Sequence, residues 1–157
     1  MATLYILCGP AGSGKSTWAR EFMAEANEKI EYISRDKIRL ALLNDEEEYF
    51  AHEIQVYKAF VSAIQENLMA GVDVIADATH LTKYSRRRLL TAIDMRFTDY
   101  NIVMVAFDGD PEHCVARNRA REGREHVPET VIRNMCRDYR LPTMEEDERI
   151  IEVKVIE

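Results

Sequence analysis

At 157 residues and 46% hydrophobic, the chain can bury one sizeable core but not two ordinary ones, so a single domain over residues 1–157 is expected. Its formal charge of −7 at pH 7 excludes broad, non-specific coating of nucleic acid, which needs a basic surface to replace counterions. No stretch is apolar for long enough to span a membrane, the Met1-Ala2-Thr3 start lacks the features of a signal peptide, and the three cysteines show no ligand or disulfide spacing, so a cytoplasmic protein is expected.

Leu4 to Cys8 reads as a buried strand. It delivers Gly9-Pro10-Ala11-Gly12-Ser13-Gly14-Lys15-Ser16, a full match to the phosphate-loop pattern G-x-x-x-x-G-K-[ST]. Gly9, Gly12 and Gly14 let the backbone curl so that consecutive N–H groups converge on an anion at the start of a helix. The expected ligand is a nucleoside triphosphate, cradled from Gly9 through Ala11, Gly12, Ser13 and Gly14 to Lys15, Ser16 and Thr17. Lys15 is expected to reach the β- and γ-phosphates, and the Ser16 hydroxyl to ligate Mg²⁺.

A second strand, Ile30 to Ile33, leads into Ser34-Arg35-Asp36-Lys37-Ile38-Arg39. If a helix begins near Asp36, that residue and Arg39 share a face. The pair then joins a carboxylate able to accept a proton to a guanidinium able to fix an anion on an acceptor. The alternative for Asp36 is a helix cap. The acidic run Asp45 to Glu48, like Glu145 to Glu148 further on, reads as a solvated face.

Ile54, Tyr57, Val61, Ile64 and Leu68 set the inner face of the clearest helix, which stops at Gly71. The strand Val72 to Ala76 runs into Asp77, a carboxylate placed beside the phosphate loop to hold Mg²⁺, and Thr79 and His80 follow it on the substrate side. The next helix, about Thr82 to Phe97, has Leu89, Leu90, Ile93 and Phe97 inward. One turn back on that face Arg86 points inside, while Arg87 and Arg88 look outward. Arg39, Arg86 and Lys83 could together gather acceptor phosphates in a local cleft.

Strand Ile102 to Phe107 ends at Asp108, the rival metal carboxylate, although Gly109-Asp110-Pro111 reads as a turn and helix start. Arg119 to Val127 lies between helices starting near Pro111 and Pro128 and reads as part of a lid over about residues 117–127. Arg117, Arg119, Arg121 and Arg124 exceed what a solvated loop needs, and arginines closing from a lid neutralise charge on a moving phosphoryl group. A last strand, Ile150 to Ile156, completes a parallel sheet of about five strands with helices on both faces. Ligands of such a sheet sit at the carboxyl ends of its strands.

The blocks GPAGSGKSTWAREF, SRDKIR, VIADATHLTKYSRRRL, ARNRAREGREHVPETVIRNM and RLP, spread nearly end to end, resemble the kinase domain of the phage-type polynucleotide kinase family, one of the small P-loop kinases. The resemblance implies a P-loop kinase fold with a helical lid. It also implies ATP and Mg²⁺, and transfer of the γ-phosphate to the 5′-hydroxyl end of DNA or RNA. By the same resemblance Asp36 is the general base, Arg39 engages the acceptor's neighbouring phosphate and Arg121 clamps the donor phosphates, with Arg117 beside it. Where the family usually carries Asn after its D-x-T turn, this chain has His80, and no D-x-D-G-T phosphatase signature is present. Related small kinases act on nucleosides, sugars or antibiotics, so a small-molecule hydroxyl is the alternative acceptor. A nucleotide-dependent binding module without transfer is a third possibility.

Overall fold

The computed structural model describes residues 1–93, 99–121 and 127–157. Five strands, β1 (Thr3–Cys8), β2 (Ile30–Ser34), β3 (Asp73–Asp77), β4 (Asn101–Ala106) and β5 (Ile150–Val155), pair in the order β2-β3-β1-β4-β5, all parallel. The helices are α1 (Lys15–Glu25), α2 (Arg35–Leu42), α3 (Glu53–Met69), α4 (Lys83–Ala92), α5 (Pro111–Arg119) and α6 (Glu129–Asp138). The expected five-stranded parallel sheet is therefore observed.

The near-continuous apolar runs of the central strands follow from burial on both faces. Leu4, Ile6, Cys8, Val74, Ala76, Ile102 and Met104 turn to one side, against Phe60, Ile64 and Leu68 of α3 and Leu89 and Leu90 of α4. Their neighbours Leu7, Ile75, Val103 and Val105 turn to the other, against Trp18, Ala19 and Phe22 of α1. A third cluster joins α5 to α6 through Cys114, Val115 and Ile132, with Ala11 of the phosphate loop packed on it.

One expected face is corrected. Val56 rather than Ile54 opens the buried stripe of α3, which runs Val56, Phe60, Ile64 and Leu68, while Ile54 is 71% exposed. Residues two apart on a helix point to nearly opposite sides, so an inward Val56 turns Ile54 outward. The expected stop is present: Gly71 adopts φ 77, and the N–H groups of Gly71 and Val72 donate to the carbonyls of Leu68 and Asn67, satisfying the last turn. Helix α4 ends at Ala92, and Phe97 lies outside the described residues.

Register sets what meets at the functional edge. Leu7 is aligned with Asp77, and Asp77 with Ser34. The carboxyl ends of β1, β3 and β2 therefore form one row, with Asp77 in its middle. The strand order reverses direction around β1, the place where open parallel sheets bind ligands.

Candidate active site

The phosphate loop is fastened at its base. Gly9 N–H donates to the Thr79 carbonyl at 2.8 Å, and Phe107 N–H to the Cys8 carbonyl at 2.8 Å, tying the end of β1 to the segments that leave β3 and β4. Gly12 and Gly14 have φ 79 and 96, a region that side chains rarely enter. Gly9 is needed for space instead, since a Cβ there would lie 2.7 Å from Ser13 Oγ. Helix α1 begins at Lys15 with no capping side chain and no acid in its first turn, so its first N–H groups remain available to an anion. Ser13 Oγ is buried without a hydrogen-bond partner. These features fit a bound polyphosphate.

Lys15 Nζ donates to the carbonyls of Gly9 and Pro10 at 2.9 and 2.8 Å. Burial pushes its ammonium below the ordinary lysine value. Asp77 opposes that shift, Arg121 adds to it, and Asp36 opposes it. Three charged side chains from three other segments of the chain thus act on Lys15.

Asp77 Oδ2 accepts hydrogen bonds from Ser16 Oγ at 3.2 Å and from the Tyr32 hydroxyl. Burial first, and then the Asp77 carboxylate, hold the Tyr32 phenol well above the usual tyrosine range, so it stays a donor. A hydroxyl and a carboxylate oxygen are hard donors of the kind Mg²⁺ takes together with phosphate oxygens and water. The rival Asp108 is otherwise engaged: it accepts from the Asp110 N–H at 2.9 Å and contacts His113 Nδ1 at 2.8 Å on an exposed turn. Asp110 in turn caps α5 through the Glu112 N–H.

Helix α2 is capped by Ser34, whose hydroxyl accepts from the Lys37 N–H at 3.2 Å. Asp36 therefore does not serve as the cap. Its side chain is 64% exposed, and Oδ1 accepts from Arg39 Nη1 and from the Tyr49 hydroxyl at 3.0 Å. Arg39 is committed more deeply than its motif suggests. Nε and Nη2 each reach a Glu53 oxygen at 2.7 Å, Tyr49 and Phe50 lie against the guanidinium, and the side chain is only 7% exposed.

Arg86 points inward as expected but does not face an acceptor. It is 1% exposed, pairs with both Glu146 oxygens at 2.8 and 3.0 Å, and donates to the carbonyls of His80 and Arg140. A guanidinium saturated in this way holds the chain in place, and its expected role on acceptor phosphates is corrected to a structural one. Glu146 likewise leaves the solvated face assigned to Glu145 to Glu148, its side chain being 6% exposed. His80 sits at φ 42 with Nδ1 2.7 Å from the Leu7 carbonyl. Burial pushes its imidazole down to about 4, so it is neutral and Nδ1 carries the donated proton.

In the lid, a Cβ on Gly14 would lie 3.3 Å from Arg117 Nη1, so Arg117 reaches over the phosphate loop. Arg119 turns away toward Glu129, 3.6 Å off and well exposed. The buried Asn118 side chain exchanges two hydrogen bonds with the Val127 backbone, at 2.6 and 2.9 Å, joining the two ends of the segment between them. Arg124 and His126 lie outside the described residues.

The model of the AAA_33 family, an AAA domain, matches residues 4–142. The chain belongs to that family of P-loop kinase domains. Two structures of a Pnkp1/Rnl/Hen1 complex, described in one case as an RNA repair complex, contain a similar domain. One is 26% identical over 87% of this chain with a TM-score of 0.72, the other 28% identical over 74% with a TM-score of 0.62. The match spans 43% and 38% of those chains, less than half of their length. Kti12 of Chaetomium thermophilum, solved with ADP-AlF3, shares the fold at 19% identity, covering 98% of this chain and 88% of its own, TM-score 0.70. A sugar kinase of Janibacter sp. HTCC2649 does so at 19%, covering 99% and 85%, TM-score 0.69. The P-loop fold implies nucleotide binding. Among the described residues no helix is long and apolar enough to cross a membrane.

For this member of the family, Tyr32, Tyr49, Glu53 and Asn118 are the site's contributions that motif spacing did not indicate. Tyr32 alone had a signal, since it lies two residues before Ser34 on the same face of β2 and Ser34 is in register with Asp77.

Proposed function

We propose that the chain is an ATP-dependent phosphotransferase that moves the γ-phosphate of ATP to the 5′-hydroxyl of a DNA or RNA end. The observation that carries this reading is the convergence on Lys15: the Asp77 carboxylate, the Arg121 guanidinium and the Asp36 carboxylate each act on the loop ammonium. A phosphate switch needs the ammonium and Asp77; transfer to a hydroxyl also needs a base and a second cation on the moving group.

In the reaction, the acceptor oxygen bonds to the γ-phosphorus as its proton passes to Asp36, and the bond from that phosphorus to the bridging oxygen of ADP breaks. Both described bonds to Asp36 fall on Oδ1, leaving Oδ2 to take the proton. Arg39 fixes the carboxylate's orientation. Lys15 and Arg121 neutralise the charge spread over the transferred group, and Arg117 covers the donor phosphates. Ser16 and Asp77 would hold Mg²⁺, which would neutralise charge on the β- and γ-phosphate oxygens. The nucleic-acid acceptor is supported by the 26–28% identity to a chain of the Pnkp1/Rnl/Hen1 complex, described as an RNA repair complex.

A small-molecule hydroxyl is the second reading, favoured by the ion pair that ties Arg39 to Glu53 rather than leaving it open to a phosphodiester. The test is transfer of labelled phosphate from ATP to 5′-hydroxyl oligonucleotides, nucleosides and sugars. Labelling of the oligonucleotide with the highest kcat/KM is expected. Preference for a sugar or a free nucleoside moves the assignment to the second reading, and ATP binding without transfer to any hydroxyl leaves a non-catalytic module.

A further inference from the structure

Strand β5 ends the sheet, and among the described residues no strand pairs with its outer side. The opposite edge, β2, has no exposed residue, whereas on β5 Ile151 and Val155 are 58% and 60% exposed and Glu152 is exposed between them. An open edge that carries apolar side chains is a template for another strand.

The ladder with β4 decides which groups face that side. After a bulge at Ile151, β5 is aligned residue by residue from Glu152, opposite Val103, to Val155, opposite Ala106. The Ile156 N–H donates to the Ala106 carbonyl at 2.8 Å, so the backbone groups of Ile156 point inward. Successive residues alternate, which turns the N–H and C=O of Val155 and Val153 toward the free edge and those of Lys154 and Glu152 toward β4. Side chains alternate between the two faces at the same step. Glu152 and Lys154 share the α1 face with their neighbours Val103 and Val105, and Lys154 Nζ lies 5.3 Å from the Phe22 ring centroid. Val153 and Val155 share the other face, where Val153 packs against the core. Neither Glu152 nor Lys154 forms an ion pair with a described residue.

We infer that β5 is a homodimer interface, in which two copies of the strand pair antiparallel about a two-fold axis through Val153. Read in reverse, the strand is complementary to itself about that residue. The axis sets Glu152 of each copy opposite Lys154 of the other, Val153 opposite Val153, and Val155 opposite Ile151. Moving the axis one residue either way would set Glu152 against Glu152 or Lys154 against Lys154, so charge selects the register. Because the Val153 backbone faces outward, the central pair exchanges both of its hydrogen bonds. Glu152 and Lys154 then form the non-hydrogen-bonded pairs, whose side chains stand closest. The two sheets join into one, with their carboxyl ends directed oppositely, and β4 separates the interface from β1 and the phosphate loop. The inference therefore stands apart from the kinase reading.

The test is sedimentation equilibrium of the 157-residue chain. A short edge pairing is a small interface with a dissociation constant on the order of micromolar, so concentrations should reach about 200 µM. A monomer–dimer equilibrium is expected for the wild type. Glu152→Lys alone and Lys154→Glu alone each set two like-charged pairs across the axis and should weaken the dimer at least about tenfold. The double variant Glu152→Lys/Lys154→Glu restores opposite charges and should regain wild-type association. An equimolar mixture of the two single variants should form a mixed dimer, because one is then purely positive and the other purely negative at these positions; misfolded chains would not pair in this way. A wild type that stays monomeric throughout the range, or a dimer indifferent to both single reversals, overturns the interface. Failure of both the double variant and the mixture to associate overturns the Val153 register.

Discussion

Glu53 grips Arg39 with both carboxylate oxygens, each at 2.7 Å, and Arg39 in turn holds Asp36. The first residue of α3 thus orients the proposed base at the start of α2. Glu53→Ala would leave a nearly buried guanidinium with one exposed carboxylate, Asp36, and the Tyr49 hydroxyl as its partners. Breaking a fully buried pair costs about 3–5 kcal/mol, and Glu53 is 30% exposed, so a loss of about 1–3 kcal/mol in urea unfolding is expected together with a lower kcat. Unchanged stability would mean that the pair adds nothing beyond what solvent supplies.

Asp36→Asn should reduce transfer by about 10²- to 10⁴-fold, the usual worth of a general base, with ATP affinity retained. Ser34→Ala should do the opposite, costing about 1 kcal/mol of stability through the lost cap while sparing chemistry. Comparing the two variants by melting and by single-turnover rates separates the roles of these near neighbours. A stability loss confined to Asp36→Asn would reverse the assignment.

Arg121→Ala should cut kcat by on the order of 10³- to 10⁵-fold if the arginine acts on the transferring group. Arg119→Ala, whose side chain pairs with Glu129 at the surface, should change it little. Similar mild losses at both positions would reduce the segment to a solubilising run of charge.

His80 sets a pH dependence of stability. Its imidazole is held at about 4 by burial, against an ordinary value near 6.5, so between these pH values the unfolded chain binds the proton that the folded one refuses. Stability contributed by neutral His80 is complete above about pH 6.5 and declines as pH falls toward 4, with a slope of at most about 1.4 kcal/mol per pH unit. His80→Asn should flatten the urea midpoint against pH in that window. Asn also tolerates the positive φ, so the variant should fold.

The parts of the site legible in the sequence are those that neighbours along the chain determine. The phosphate loop is contiguous, Asp36 and Arg39 are one turn apart, and Asp77 ends a buried strand, so each carried its own local signal. The partners are not local. Arg39 meets Glu53 14 positions away, Tyr32 meets Asp77 at 45, and Arg86 meets Glu146 at 60. Nothing in the periodicity of either member of such a pair encodes the other, because the fold brings them together only after the sheet has assembled. The same blindness left Arg86 looking like an acceptor ligand, since an inward-facing arginine at a helix start reads alike whether a substrate or a buried glutamate awaits it.

Gly12 packs against the backbone of α5 so closely that a Cβ would overlap the Cys114 carbonyl. That helix also carries Arg117, whose guanidinium lies over Gly14. The phosphate loop and the lid's first arginine are therefore gauged against each other by one missing methyl group. Gly12→Ala would force α5 outward at Cys114 and tilt Arg117 away from the phosphate loop, so weaker ATP binding is expected by calorimetry although every proposed phosphate ligand is still present. Glycine here acts as a spacer of zero thickness between the phosphate loop and the helix that carries Arg117.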